Sequence, residues 1–339
     1  MKAVNINEPW KVELVDVARP EPKAGEALIK VRSAGICGSD IGAYRGTNPL
    51  VSYPRIIGHE IAGEIMSIPE NSKGLKVGDK VIVDPYLYCG HCYPCSIGRT
   101  NCCTDLQVLG VHCQGGMVEY FTHPADMLCK VPDDMPWDII PLAEPLTIAL
   151  HGLHRAKLSA GEHIAISGAG PIGLLAAMAA IHYGAIPIMI DPVDERLEMS
   201  KTLGVKYTIN PVKENLIEKI KEYTDGRMAE VVMEASGANS AILSTLEIVS
   251  NAGRIALTGW PKNPTPIPTD MITRKEVDIR GARTSAGEFE EAIDLIYNGR
   301  VDVRAILTKV VSIDEAPDTI RDIEKNPGSY LKVNVIVEA

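Results

Sequence analysis

A glycine-rich turn in the middle of the chain places the strongest constraint on the fold. The motif reads Gly168-Ala169-Gly170-Pro171-Ile172-Gly173. It follows the short apolar run His163–Ser167 and opens a predicted helix that continues to about Tyr183. In this setting the first glycine makes a tight turn, the second admits a ligand close to the backbone, and the third lets helix and strand pack together. Because free N–H groups at a helix start favour an anion, the motif predicts a site for a dinucleotide pyrophosphate.

An acidic residue at the end of the next predicted strand supports this prediction. The strand covers Pro187–Asp191, and Asp191 lies 18 residues beyond Gly173. A carboxylate in this position accepts hydrogen bonds from the adenosine ribose hydroxyls and repels a 2′-phosphate, so NAD is expected rather than NADP. Arg196 is expected to lie near the adenosine. The alternative is that the glycines only permit a tight turn, but strand, spacing and acid together favour the cofactor.

Two different patterns of predicted strands and helices divide the chain into two regions. Up to about residue 145, short alternating apolar runs such as Ala27–Val31 and Lys80–Val83 are separated by turn residues, which predicts a β-rich, barrel-like domain. From about Gly161, short apolar strands alternate with helices, which predicts a doubly wound parallel sheet and an α/β fold class. The last predicted strand, Val333–Val337, is expected to return to the first domain and would make that domain discontinuous.

Four cysteines form a second strong motif. They fall within fifteen residues and are Cys89, Cys92, Cys95 and Cys103. In an acidic chain without a visible export signal, such a cluster is more often a metal site than a disulfide framework, and four thiolates suit a structural zinc ion. Cys102 is the alternative fourth ligand, and iron binding or disulfide pairing are the alternatives to zinc.

Composition argues against several classes of partner. The net charge is -10, and the chain has only two Phe and three Trp, so neither a basic stripe nor a stacking platform for nucleic acid is indicated. No apolar run approaches the roughly 18 residues of a membrane span, and the first residues lack the pattern of a signal peptide. These features predict a cytoplasmic protein with no nucleic-acid or membrane partner.

Three further segments carry residues that could bind a metal. Cys37 lies in Gly35–Asp40, His59 and Glu60 lie in Gly58–Gly63, and Glu144 lies in Leu142–Leu146. Each residue alone is unremarkable, since a single cysteine is usually a small buried hydrophobe. Their settings and the order of all the motifs resemble the zinc-containing medium-chain dehydrogenase/reductase family over nearly the whole chain. Within that family the chain is similar to the polyol branch, closest to the bacterial sugar-acid (L-galactonate and L-gulonate) 5-dehydrogenases.

The resemblance implies both the domains and the metal ligands. It implies a GroES-like β-barrel catalytic domain formed by residues 1–146 and 283–339, and a Rossmann NAD-binding domain formed by residues 147–282. It places a catalytic zinc ion on Cys37 and His59, with Glu60 as the third protein ligand. Glu144 would then bind this zinc directly or approach it. The cofactors expected from the resemblance are therefore NAD and two zinc ions, one catalytic and one structural.

The resemblance also implies a path for a proton. Ser39 matches the hydroxyl that begins a proton relay, and Asp40 matches a carboxylate that would orient His59. Many relatives carry a histidine five residues after the zinc-binding cysteine, but this chain has Gly42 there. Water or Tyr44 is therefore expected to complete the path.

The activity implied by the resemblance is oxidation of a secondary alcohol on a polyol or sugar acid to a ketone, with hydride transfer to NAD. L-threonine 3-dehydrogenase and sorbitol dehydrogenase activities are the alternatives within the enzymes, and a non-enzymatic NAD-sensing role is the alternative outside them. Arg45 and Arg283 are candidates for binding a substrate carboxylate. The expected partners are a small polar alcohol and further copies of the chain, in a homodimer or homotetramer.

Overall fold

The computed structural model of this protein describes residues 1–337. The strands are β1 Lys2–Glu8, β2 Lys11–Asp16, β3 Glu26–Ile36, β4 Arg55–Ile56, β5 Glu60–Ser67, β6 Lys80–Val83, β7 Tyr86–Leu87, β8 Gln107–Val108, β9 Tyr120–Pro124, β10 Leu128–Lys130, β11 His163–Ser167, β12 Ile186–Ile190, β13 Tyr207–Ile209, β14 Ala229–Glu234, β15 Val249–Leu257, β16 Asp278–Gly281, β17 Leu307–Ser312 and β18 Lys332–Ile336. The α-helices are α1 Gly38–Arg45, α2 Tyr93–Ser96, α3 Ala143–Ala156, α4 Pro171–His182, α5 Asp194–Thr202, α6 Leu216–Tyr223, α7 Asn239–Ile248, α8 Thr269–Lys275, α9 Phe289–Tyr297 and α10 Ala316–Lys325.

The chain forms two compact units. Within the described residues, the first unit contains 1–144, 289–297 and 303–337, and the second contains 145–288 and 298–302. The sequence-based boundaries, after residues 146 and 282, lie two and six residues from the first and second of these changeovers. The short segment 298–302 belongs to the second unit by its contacts, which local sequence patterns do not indicate.

The second unit is built on a six-stranded sheet. Its strand order is β13-β12-β11-β14-β15-β16, and every neighbouring pair is parallel. All five residues of β11 are buried, as expected for a parallel strand covered on both faces. The strand order reverses between β11 and β14, and ligands of such sheets bind at the carboxyl ends of the strands beside this reversal. The prediction of a doubly wound parallel sheet is therefore confirmed.

The first unit is built mainly on antiparallel strands. Its largest sheet has the order β10-β6-β5-β3-β18-β17, with β9 also paired to β3. The terminal strand β18 runs antiparallel to β3, so the end of the chain returns to the first unit as predicted. Branched apolar side chains from β3, β5 and β18, including Ile29, Ile61 and Val335, are completely buried in one core. The three strands that supply these side chains are paired in one sheet, which fixes the register of their ends.

None of the helices within residues 1–337 has the length and apolar character needed to cross a membrane.

Candidate active site and metal centres

Three strand ends of the first unit meet at one point. Gly35, near the end of β3, lies opposite Glu60 at the start of β5, and Ile36 lies opposite Val333 in β18. Cys37 follows directly after β3, and it is also the residue before α1. Because the register fixes all three strand ends, residues 37, 60 and 332 come together although they are far apart in the sequence.

Cys37, His59 and Glu60 form the first cluster with metal-binding geometry. One ligand atom from each lies within 4.8 Å of the others, and His59 and Glu60 are buried. The Nδ1 atom of His59 is buried and has no hydrogen-bond partner among residues 1–337. Sulfur, imidazole nitrogen and carboxylate oxygen are ligands that zinc accepts, and three protein ligands leave one position for an oxygen, as in catalytic zinc sites. The residues therefore fit the metal that the sequence predicts here.

The electrostatics around His59 also suit a cation. Burial on its own lowers the pKa of His59, but the nearby Cys37, Asp40 and Glu144 raise it, and the result lies well above the ordinary value. This shift records an excess of negative charge around the ring. The same charge that favours a proton on His59 would favour a divalent cation in its place.

A lysine that the sequence analysis missed completes this cluster. The Nζ atom of Lys332 lies 2.5 Å from each carboxylate oxygen of Glu60 and donates a third hydrogen bond of 3.2 Å to the carbonyl of Ile36. Glu60 is 0% exposed and Lys332 is 4% exposed, so the ion pair is shielded from solvent. Burial lowers the pKa of Lys332, but the charges of Glu60, Cys37 and Glu144 and the hydrogen bond to Glu60 together outweigh burial and raise this pKa overall. A charged residue within the apolar segment Leu331–Val337 was the available sequence signal.

Glu144 lies at the start of α3 and is buried. The Tyr86 hydroxyl donates a hydrogen bond to its Oε1 atom. Burial raises the pKa of Glu144 to about 7, although His59 acts in the opposite direction. Glu144 is close enough to interact electrostatically with His59, but it is not part of the compact group formed by Cys37, His59 and Glu60. Direct metal binding by Glu144 stays a prediction, and Tyr86 is a neighbour that the sequence did not indicate.

Ser39 and Asp40, in the first turn of α1, differ in their hydrogen bonding. Ser39 has a buried Oγ atom for which residues 1–337 offer no hydrogen-bond partner. Asp40 accepts hydrogen bonds of 2.8 Å from the N–H of Cys37 and 3.4 Å from the N–H of Gly58. It thus fixes the backbone beside two candidate ligands, and a role of Asp40 in orienting the His59 ring stays a prediction.

The C-terminal end of α1, which carries Tyr44 and Arg45, offers little support for a role of Tyr44 in proton transfer. Tyr44 is buried in the apolar core, and its ring contacts Trp10 edge-on at a centroid distance of 5.4 Å. Arg45, a candidate for binding a substrate carboxylate, forms an ion pair with Glu324. The proton-relay role of Tyr44 stays a prediction.

The four-cysteine loop forms the second cluster. Ligand atoms of Cys89, Cys92, Cys95 and Cys103 all lie within 4.8 Å of one another, whereas Cys102 is outside this group. All eight cysteines are free, which argues against disulfide pairing. Backbone N–H groups point at the sulfurs, for example from Cys89 to Cys103 Sγ at 3.3 Å. Hydrogen bonds from the backbone lower the pKa of Cys92 to about 6, whereas burial and the neighbouring Cys92 side chain raise the pKa of Cys95 to about 12. Zinc binds the thiolate form, so its binding would displace the proton that the two sulfurs share.

The glycine turn of the second unit has the local geometry that a dinucleotide requires. Gly168 has a φ of +103°, in the left-handed region. A Cβ atom at Gly173 would overlap the carbonyl of Gly168, so only glycine permits this close packing of helix and strand. Gly170 precedes α4, and a Cβ atom there would meet no atom within 4 Å, so the backbone faces open space. Pro171 begins α4 and Ile172 follows it within the same first turn.

Asp191 follows β12 at the carboxyl edge of the sheet. Its two oxygens accept hydrogen bonds from the N–H of Ala169 at 2.8 Å and of Val193 at 2.9 Å. The Arg196 guanidinium lies 3.8 Å from the same carboxylate. The acid therefore ties the glycine turn to the next βα loop, and it keeps the arginine close to the expected adenosine position.

Comparison with known proteins gives the class of the chain. The alcohol dehydrogenase GroES-like domain matches residues 23–133, and the zinc-binding dehydrogenase domain matches residues 171–298. An uncharacterized zinc-type alcohol dehydrogenase-like protein of Haemophilus influenzae is 57% identical, and the match covers 99% of this chain and 98% of that protein. The chain belongs to the zinc-containing alcohol dehydrogenase family, the medium-chain dehydrogenases/reductases, as its motifs predicted. It is an oxidoreductase of that family, with a GroES-like domain and a Rossmann-like domain.

Two further relatives with named substrates and one solved structure with a bound cofactor are also similar to this chain. Sorbitol dehydrogenase of Bacillus subtilis is 34% identical, with 99% of this chain and 97% of that protein covered. L-galactonate-5-dehydrogenase of Escherichia coli is 35% identical, with 85% of each covered. A crystal structure of an Escherichia coli alcohol dehydrogenase complexed with NADH superimposes with a TM-score of 0.93 at 36% identity and covers 99% of both chains.

Proposed function

We propose that this protein is a zinc- and NAD-dependent dehydrogenase that oxidises a secondary alcohol on a polyol or sugar acid to a ketone. The observation that carries the proposal is the group of half-buried Cys37 and buried His59 and Glu60, which offers three different ligand atoms within 4.8 Å of one another. Two of the relatives at 34% and 35% identity are named for sorbitol and for L-galactonate, both of which carry secondary alcohols.

Different residues of the first unit would bind the metal, accept the proton and position these groups. Cys37, His59 and Glu60 would hold zinc, which when bound polarises the alcohol, while NAD accepts the hydride. Ser39 would accept the alcohol proton and pass its own proton on, because its buried hydroxyl has no competing partner in the described part of the chain. Asp40 keeps Cys37 in place through the backbone of α1, so both the sulfur and the hydroxyl are fixed by one turn of helix.

The residues of the second unit support NAD as the cofactor. The open backbone at Gly170 would accept the pyrophosphate, and the carboxylate of Asp191 would accept the ribose hydroxyls. A 2′-phosphate would meet that carboxylate, although Arg196 lies nearby and could offset part of the repulsion. The measurement is kcat/KM with NAD and with NADP at equal alcohol concentration, and a preference for NADP would contradict this assignment.

The substrate class is the least constrained part of the proposal. A sugar acid needs a cation for its carboxylate, but Arg45 is already paired with Glu324. This pairing favours an uncharged polyol as the substrate; if the substrate is a sugar acid, another cation such as Arg283 would bind its carboxylate. NADH formation should be measured over aldonates, polyols and L-threonine. Rapid oxidation of L-threonine without activity on the other two classes would overturn the assignment, and NAD binding without oxidation of any alcohol would instead fit a nicotinamide-sensing role.

A further inference from the structure

The buried pair of Lys332 and Glu60 has a role that metal binding alone does not explain. We propose that Lys332 is a positioning residue that competes with the metal for the Glu60 carboxylate, and so keeps Glu60 a weak and exchangeable ligand. The inference rests on the proposed zinc-dependent function and adds a residue that controls the metal site. Its location on β18, almost 300 residues after Cys37, explains why no local motif includes it.

The geometry leaves Glu60 few other partners. Both of its oxygens accept hydrogen bonds from the Lys332 ammonium at 2.5 Å, and the carboxylate also lies within 4.8 Å of the Cys37 and His59 ligand atoms. The absence of a side chain at Gly35 makes room for it, since a Cβ atom there would overlap Glu60 Oε2. Glu60 therefore occupies a closed compartment with the lysine and the two other candidate ligands around it.

Charge explains why the competition matters. A completely buried carboxylate needs a compensating cation, and the Lys332 ammonium supplies one; a metal held by Cys37 and His59 would be the second. Lone pairs that accept hydrogen bonds from an ammonium donate less strongly to a metal. With the carboxylate held by Lys332, Cys37 and His59 would be the firm ligands of a bound metal, and an oxygen ligand could enter more readily.

The Ile36 carbonyl gives the lysine a fixed place of its own. Lys332 Nζ donates to this carbonyl at 3.2 Å, and Ile36 directly precedes Cys37. The ammonium is therefore anchored to the same strand end that presents the sulfur, and it does not depend on Glu60 alone for its position. This arrangement would let Glu60 move between lysine and metal while the lysine stays in place.

A purely structural lysine makes the opposite prediction. If Lys332 served only to neutralise Glu60 during folding, its removal would loosen the site and speed the loss of metal. If it competes with the metal, its removal leaves Glu60 with the metal as its only cation, and metal is retained longer. The sign of the change in metal release therefore separates the two roles.

The experiment compares Lys332→Met with the wild-type holoenzyme. The release of zinc to a chromophoric chelator is followed in time, and the phase from the Cys37 site is identified as the one that disappears in Cys37→Ala. We expect Lys332→Met to release this zinc at least about tenfold more slowly and to lose about tenfold or more in kcat. Lys130→Met is the matched control, because it breaks another lysine–carboxylate pair, with the buried Asp79, whose carboxylate is not a candidate ligand.

A second pair of variants keeps the test decisive if Lys332→Met does not fold. Lys332→Arg keeps a charged donor for both oxygens, whereas Lys332→Gln keeps a donor without charge. Zinc release should be slower in Lys332→Gln than in Lys332→Arg. Equal or faster release in the glutamine variant, or faster release in Lys332→Met, would overturn the competition. If Cys37→Ala lost no zinc equivalent, the proposed function itself would fail, whatever the lysine variants showed.

Discussion

The two candidate zinc centres of this protein are built in contrasting ways. The four-cysteine centre takes all its ligand atoms from one loop of fifteen residues, between Cys89 and Cys103. The Cys37 centre takes its ligands from two strand ends, and the lysine that neutralises Glu60 comes from a third strand at the far end of the chain. A local site needs only spacing and a flexible loop, whereas the assembled site depends on the register of a whole sheet.

The contrast extends to what each centre can do. Four sulfurs fill the coordination of zinc and leave no position for a substrate, so that centre is expected to stabilise its loop. The loop packs on a small apolar cluster whose buried residues are Tyr86, Cys103 and Leu106, and only Cys103 of these belongs to the loop itself. The Cys37 centre offers three protein ligands and a buried hydroxyl, Ser39, beside them, so it is expected to carry the chemistry.

The largest expected effect is on activity in Cys37→Ala. Loss of the metal would remove several kcal/mol of transition-state stabilisation, which corresponds to a fall in kcat/KM of at least about 10³-fold. NADH formation measures this change. Thermal unfolding should shift little, because the sheet around Cys37 is held by its own apolar core.

Cys95→Ser is the matched change in the other centre. We expect it to lower thermal stability and to expose residues 89–103 to proteases, while zinc at the Cys37 centre and its turnover persist at low temperature. Full stability in Cys95→Ser, or full activity in Cys37→Ala, would contradict the division between a structural and a chemical centre.

Gly35→Ala tests how strongly the assembled site depends on the sheet. A Cβ atom would overlap the Glu60 carboxylate and separate it from Lys332. Breaking a buried ion pair destabilises by about 3–5 kcal/mol. Chemical denaturation measures this loss. Gly281→Ala, at a strand glycine of β16 with no positive φ and no atom within 4 Å of a Cβ, gives the effect of an added methyl group alone, and an equal loss in the two variants would remove the ion pair from the explanation.

In the metal-free protein, the free energy of unfolding should depend more steeply on pH in the wild type than in Glu144→Gln. Burial raises the pKa of Glu144 from 4.5 to about 7, so between these values the folded state binds more protons than the unfolded state. The free energy of unfolding should therefore fall as the pH rises from about 4.5 to about 7, by about 3 kcal/mol from this group. Glu144→Gln should flatten that part of the profile, as followed by chemical denaturation at several pH values. An unchanged slope would mean that Glu144 is ionised when folded.

The smallest expected effect is in Gly170→Ala, at the other locally encoded site. A Cβ atom there meets nothing within 4 Å, so stability should change little. The added methyl group would stand where the pyrophosphate approaches, so KM for NAD should rise by about tenfold, equivalent to about 1.4 kcal/mol, with a smaller change in kcat. Initial rates at varied NAD measure this. An unchanged KM would place the dinucleotide elsewhere.

The sequence was most informative where function is encoded over short distances. The spacing of the cysteines and the Gly168–Gly173 turn each indicated a site before any tertiary contact was known, and the alternation after Gly161 predicted the parallel sheet. The side chains around the Cys37 centre were harder to predict. Lys332 and Tyr86 lie on elements remote in sequence from the ligands they approach, and the backbone contacts of Asp40 depend on how α1 packs.

From the sequence alone came the two-domain architecture, which follows from turns and the alternation of strands and helices, and the family, which follows from the resemblance that its motifs carry. The residues of each candidate site were predicted from the same motifs, because turns and cysteine spacing are local properties of the chain. Only the tertiary structure decided that Glu60 is shared with Lys332, that Glu144 is bound by Tyr86 and that Arg45 is paired with Glu324. These partners were not visible earlier because strand register and helix packing bring together residues that are separated by tens to hundreds of positions. The energetic value of a buried charge is set by those neighbours rather than by its place in the sequence.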